Sequence, residues 1–295
     1  MSRKNWFLFI FVGFVWGIPY LLMKNAVHEV SPYIIVFSRT IIGSVILIPI
    51  ALRRGTLGQA FGKNFKFVIL YAIGEMVFPW IFITSAEKKI TSGLAGLLVA
   101  TVPIWSSILA SLRGDKSVWH AKRLAGMLLG FFGVGLVVGI ESFRGHQDSL
   151  SIAIVILAAI CYASAVTMLT AKLPGVDGVA VNGVAMLFTA LLYTPFSLTH
   201  LPAHIPSTKA LLSLLVLGLL PTALAFYLFF ILLYDIGPAR ASLVTYLNTA
   251  FAVLLGIIFL NEKVTTGIVL GLPLVLIGSY FASKKSEARV KKVTQ

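Results

Sequence analysis

Two charged side chains in this chain sit where charge is expensive. Of 34 acidic and basic residues, only Arg39 and Glu75 fall well inside long apolar stretches. An ionised group near the centre of a bilayer costs about 2.5–3.5 kcal/mol on insertion scales, so each needs a partner or a function. The two stretches run in opposite directions, and at 1.5 Å rise per residue the two depths differ by about 6 or 7 Å, within reach of two long side chains. Two readings follow. In one, an Arg39–Glu75 ion pair pins the second and third helices together. In the other, Glu75 is a protonatable or cation-binding carboxylate, a candidate coupling residue, and Arg39 anchors a substrate carboxylate.

A second group of residues is aromatic or polar and lies inside the same kind of stretch. Trp16, Tyr20, Tyr71, Trp80, Trp105, Tyr162, Tyr227 and Tyr246 sit at depths where Trp and Tyr are not usually found, because both normally gather where an N–H or O–H stays wet. Buried examples need hydrogen-bond partners or a wet cavity. Thr101 and Asn248 add hydrogen-bonding capacity at similar depth. The candidate substrate-contact set is therefore Trp16, Tyr20, Arg39, Glu75, Trp80, Thr101, Trp105, Tyr162, Tyr227, Tyr246 and Asn248, each with packing as the competing reading. Aromatic lining with one basic residue favours an amphipathic solute such as an amino acid.

Other chemistries lack their residues. There is no H-E-x-x-H, no G-x-S-x-G and no G-x-x-x-x-G-K-[ST] phosphate loop. His28, His120, His146, His200 and His204 lie in or beside loops, and Pro202 interrupts the i,i+4 pair His200/His204. No metal or other cofactor is expected. Cys161, the single cysteine, reads as a small packing residue.

The elements that position these residues are legible from composition. The chain has 295 residues, 58% hydrophobic and 12% charged, with a mean hydropathy of +0.96. Apolar segments of about 20 residues match a hydrocarbon slab roughly 30 Å thick. Ten are expected, over residues 6–24, 32–52, 67–86, 91–112, 124–140, 151–171, 179–199, 210–234, 238–260 and 265–282. They are continuously apolar where barrel strands would alternate, so the expected fold is an all-α integral membrane protein. The first stretch follows Arg3 and Lys4 but is too long for a signal peptide and lacks a small-x-small cleavage site.

A net charge of +14 would suit nucleic acid, but its distribution points to a lipid bilayer instead. With loops assigned alternately to two sides, the side holding the termini carries 17 Lys and Arg and the other carries 6. That asymmetry puts both termini in the cytoplasm. The basic tail Lys284–Lys292 then sits near anionic headgroups.

A shift of 146 residues lays the first four spans on the next set without a gap: Trp6–Lys24 on Ile152–Thr170, Pro32–Leu52 on Gly178–Leu198, Phe67–Ala86 on Ser213–Leu232 and Thr91–Leu112 on Gly237–Ile258. Pro49 meets Pro195, Ala95 meets Ala241, and Trp16-Gly17 faces Tyr162-Ala163. Each half, 1–145 and 146–295, thus holds five spans. A second copy of an odd number of spans enters the membrane upside down, the arrangement of many secondary transporters. Arg39 maps onto Ala185 and Glu75 onto Pro221, so the charges belong to one half only. Glycines in the fifth span (Gly126, Gly130, Gly133, Gly135) and the tenth (Gly267, Gly271, Gly278) make flat faces for close helix packing. Prolines 19, 49, 79, 103, 195, 221 and 273 lie within spans and predict kinks.

Several of these residues resemble those of a known family. Trp16-Gly17 and Lys24, Pro32 followed by Arg39, Ala95 to Pro103, and Asn261-Glu262 followed by Gly271 and Gly278 resemble the patterns of EamA-type members of the drug/metabolite transporter superfamily. The chain departs from them at Gly114-Asp115, where Gly-Glu is usual, and at Thr249, where proline is usual. The resemblance implies a basket of ten helices in two inverted five-helix repeats around a central cavity. It also implies alternating access in the inner membrane, with export as the default direction and a monomer sufficient. The alternatives are a broad exporter of lipophilic cations and, from another class, a non-transporting membrane scaffold or intramembrane enzyme.

Overall fold

Helix is the only regular secondary structure among the described residues, which are 1–114, 121–143, 148–236, 241 and 244–283 of the computed structural model. Asp115, His120, His146 and the tail from Lys284 lie outside them. The chain runs through α1 (Arg3–Ala26), α2 (Pro32–Arg53), two short 3-10 turns, and α3 (Phe65–Ala72). A π-helical turn, Ile73–Val77, joins α3 to α4 (Phe78–Ala86). Next come α5 (Ser92–Val99), α6 (Val102–Leu112), α7 (Ala121–Phe143), α8 (Ser149–Lys172) and α9 (Gly178–Thr199). A second π-helical turn, Gly218–Leu224, joins α10 (Thr208–Leu217) to α11 (Ala225–Ile236). The chain closes with α12 (Val244–Leu260) and α13 (Thr266–Ser283).

Among the described residues, seven helices or helix runs are long and apolar enough to cross a membrane, and three shorter apolar helices fall in the remaining expected spans. Their starts are set by side-chain caps: Ser31 accepts from Ile34 N, Thr91 from Leu94 N, Asp148 from Ser151 N and Asp177 from Val179 N. Each cap satisfies an amide that the first helical turn leaves orphaned. The outward surface stays greasy, with Val45, Leu128, Phe132 and Ile258 all more than 60% exposed. Only lipid makes such a surface favourable.

The expected spans are not all continuous. Proline removes a helical donor and its ring collides with the carbonyl four residues earlier. Pro79 follows the first π turn directly, Pro221 lies inside the second, and Pro103 follows the break at Ala100–Thr101 that splits α5 from α6. Within the second π turn, Leu217 O, four residues before Pro221, is satisfied by Thr222 Oγ1 at 2.8 Å. Pro19, Pro49, Pro195 and Pro273 instead sit inside uninterrupted helices.

The most extensive packing joins the first half of the chain to the second: α7 with α13, α2 with α9, and α1 with α12. Helices of one half therefore complete the burial of the other. The glycine faces of the fifth and tenth spans meet as expected. A Cβ on Gly133 would stand 2.9 Å from Leu274 Cβ and from Val275 N, and one on Gly278 would stand 2.6 Å from Gly126 O.

Candidate functional site

Arg39 projects from the middle of α2 and is 6% exposed. Its Nε donates to Thr222 Oγ1 at 3.2 Å, and its guanidinium carbon lies 3.5 Å from the centroid of the Trp80 ring. Thr222 gives its own proton to Leu217 O, so its oxygen is free to accept from Arg39. The π turn thus builds the receptor for the guanidinium, and Trp80 supplies the negative π face that a buried cation prefers. The two terminal nitrogens of Arg39 make no hydrogen bond to the described residues and remain available to an acceptor.

Glu75 sits in the other π turn. Its Oε2 is buried without a hydrogen-bond partner. The ion pairs among the described residues are Lys4–Asp235, Arg54–Asp177 and Lys89–Asp148. An Arg39–Glu75 pair is not among them. The pinning reading is therefore corrected: similar depth did not bring the two heads together, because Thr222 and Trp80 hold the guanidinium. Tyr162 on α8 lies within electrostatic reach of Glu75, Arg39 and Tyr20, and Tyr71, one turn before Glu75, also feels its charge. Arg39, Trp80, Tyr162, Glu75 and Tyr20 thus form one polar–aromatic group deep in the bundle.

The two π turns share a further property. Under the 146-residue shift Ile73–Val77 falls on 219–223, inside Gly218–Leu224. Each turn offers a carbonyl to an aromatic donor of the opposite half. Trp16 Nε1 donates to Pro221 O at 3.1 Å, and Tyr193 Oη donates to Val77 O at 2.9 Å. Trp16 also packs its ring on Phe226 and Phe229. A third aromatic donor also reaches the other half, though to a side chain: Tyr71 Oη donates to Asn182 Oδ1 of α9 at 3.2 Å.

Other expected contacts point elsewhere. Trp105 donates to Thr101 Oγ1, one turn earlier on its own span, and packs edge-on against Phe131 of α7. Tyr227 is held by Arg54, whose Nη2 donates to its hydroxyl at 3.1 Å, close to the Arg54–Asp177 pair. Asn248 Oδ1 accepts from Thr249 Oγ1, and Tyr246 lies half-buried two residues before it. The surface concavities lined by Phe7, Ile10, Phe11 and Phe14 or by Gln59, Lys63 and Lys172 lie away from the Arg39 group. Among the described residues no three His, Cys, Asp or Glu side chains converge to hold a metal ion.

Thr222, Tyr193 and Asn182 were not legible as site residues. Ordinary polar residues in apolar helices carry no mark of which face they occupy. The one available signal was the coincidence of Pro221 with the repeat partner of Glu75.

Comparison with known proteins agrees with this architecture. The model of the EamA-like transporter family matches twice, on residues 4–139 and 149–284. The chain is 26% identical over 275 residues to the Bacillus subtilis protein named uncharacterized transporter YoaV, covering 92% of this chain and 94% of that one. It is 23% identical over 253 residues to the Escherichia coli protein named uncharacterized inner membrane transporter YedA, covering 82% and 78%. One solved crystal structure superposes with a TM-score of 0.69 at 18% identity, covering 96% of this chain and 98% of the other; at that identity the likeness concerns the fold alone.

Proposed function

The chain belongs to the EamA-like transporter family, and we propose that it exports a small amphipathic metabolite, such as an amino acid, by alternating access. It is a multi-pass membrane protein of a transporter family. In this reading its termini face the cytoplasm of a cell with an inner membrane, and one copy suffices. The two halves act as inverted five-helix repeats, and their packing supports that. Exchanging each span for the one five places on turns the α1–α12 contact into the contact of α8 with α5 and α6, and the α1–α10 contact into that of α8 with the third span. It carries α2–α9 and α7–α13 onto themselves.

The observation that carries the proposal is a pair of opposite charges that do not spend themselves on each other. Arg39 keeps its terminal nitrogens free while Trp80 and Thr222 fix its plane. Glu75 keeps a carboxylate oxygen unpaired. A zwitterion answers both, with its carboxylate on Arg39 and its ammonium on Glu75, and the aromatic rings of Tyr162 and Trp16 provide the apolar wall. A substrate-free Glu75 takes a proton in its place, which couples the cycle to a proton gradient.

The test is metabolite profiling of the medium with and without expression, then flux of the enriched solute into liposomes holding the purified protein. Flux that persists in Glu75→Gln with its pH dependence intact removes the coupling role. Resistance to lipophilic cations without an enriched amino acid favours the multidrug alternative, for which an unpaired carboxylate among aromatic rings is also suited. Absence of any flux leaves a scaffold.

A further inference from the structure

At the end of the bundle opposite the start of α1, one acid is more deeply buried than Glu75. Glu87, in the turn between α4 and α5, is 0% exposed. Its surroundings come from both halves of the chain. Lys24 and Tyr20 approach from α1, Ser92 from α5, and Glu262 from the turn between α12 and α13. Lys88 and Lys89 on its own turn point outward and are exposed.

The hydrogen bonds of this cluster are short of one proton. Lys24 Nζ spends itself on main-chain oxygens, Glu87 O and Ile90 O, and makes no ion pair with the Glu87 carboxylate. Glu262 is fully engaged as a cap across the seam, with Oε1 accepting from Ser92 N at 2.7 Å and Oε2 from Gly93 N at 3.1 Å. Ser92 Oγ lies 3.0 Å from Glu87 Oε2 and 3.2 Å from Tyr20 O. A hydroxyl has one proton, so only one of these acceptors can receive a full hydrogen bond from it. Glu87 Oε1 has no partner at all. An ionised carboxylate sealed in this way would be an uncompensated buried charge. A neutral Glu87 resolves the shortage: it donates through Oε2 to Ser92 Oγ, and Ser92 then donates to Tyr20 O.

We propose that Glu87 is a proton-binding site, separate from Glu75, whose protonation latches this end of the transporter shut. The proposal rests on the alternating-access reading. In the closed state shown, α1, the α4–α5 turn and the Glu262 cap seal the acid from water. Opening must pull the Glu262 turn away from Ser92, expose Glu87 to solvent and release its proton. Burial holds the closed-state carboxyl well above the usual carboxylate range, with Lys24 opposing. Closure therefore takes up one proton at any pH between the open-state and closed-state values, and each unit of falling pH favours it by up to about tenfold. Below the ordinary carboxylate range both states are protonated and the dependence ends.

The seam can be read without a known solute. Spin labels on Lys88→Cys and Val264→Cys, in a Cys161→Ser background, place one exposed probe on each half beside the cluster. Their distance distribution is measured in liposomes from pH 5 to pH 9. The short-distance population should grow as pH falls, and Glu87→Gln, a permanently neutral isostere, should hold it at all pH values. In the unsubstituted site, the infrared band of a protonated carboxyl should titrate in step with the distance. A seam that stays fixed across the range overturns the proposal, and so does a moving seam with no titrating carboxyl band. A response that survives Glu87→Gln but vanishes in Glu75→Gln overturns it as well. A moving seam in a protein that shows no flux overturns the transport reading and leaves the latch standing.

Discussion

Gly278→Ala is the sharpest test of the packing. A Cβ at Gly278 would stand 2.6 Å from Gly126 O and from Gly130 Cα, both backbone atoms of α7. Gly130 N would be closer still, and ordinary contact begins near 3.4 Å, so the two helices have to part by at least about 0.8 Å. No flexible side chain can move aside to absorb it. A gap of that size forfeits roughly a quarter to a half of each dispersion contact it opens, and α7–α13 is the most extensive helix pair in the molecule. The expected cost is about 2–3 kcal/mol, the upper part of the range for overpacking. Gly135→Ala, on the partner helix α7, is the control. Its Cβ meets nothing within 4 Å, so the substitution should be neutral or stabilise by up to about 1 kcal/mol through helix propensity. The assay is the thermal midpoint of the two purified variants in the same detergent. Equal midpoints would refute the argument that backbone contact, and not glycine flexibility, explains the glycine stripe.

Arg39→Lys should keep the charge but lose the planar stack on Trp80 and the Nε bond to Thr222, lowering flux of the exported solute at least tenfold without lowering expression. Tyr193→Phe removes the donor to Val77 O and should cost about 1–2 kcal/mol of thermal stability, because that carbonyl lies in a π turn. Glu29 and Asp148, outside the spans, are held below the usual carboxylate range. The Ser207 amide and then its hydroxyl do this for Glu29, and the Ser151 hydroxyl and then its amide do it for Asp148. Their stabilisation is present above the ordinary carboxylate range and lost as pH falls through the lowered values. The thermal midpoint should therefore drop on acidification below about pH 4, the ordinary carboxylate value, and the drop should shrink in Glu29→Gln with Asp148→Asn.

The all-helical, membrane-spanning character of the chain, the approximate ends of its long apolar helices and the family were legible in the residue order. Hydropathy, capping and proline placement are properties of consecutive residues, and a run such as Trp6 to Leu22 needs no partner to declare itself apolar. The isolation of Arg39 and Glu75 could be read in the same way. What they touch could not. Thr222 is 183 residues from Arg39, Glu262 is 170 from Ser92, and nothing local links them. In a soluble protein the polar face of a helix would narrow the choice. Here lipid and protein interior are both apolar, so the spans show little difference between faces, and which face turns inward is decided by close packing and by the few hydrogen bonds available in hydrocarbon. Only the tertiary structure could therefore show that Arg39 and Glu75 stand apart, that each π turn is tied to the other half, and that Glu87 is the more deeply enclosed acid.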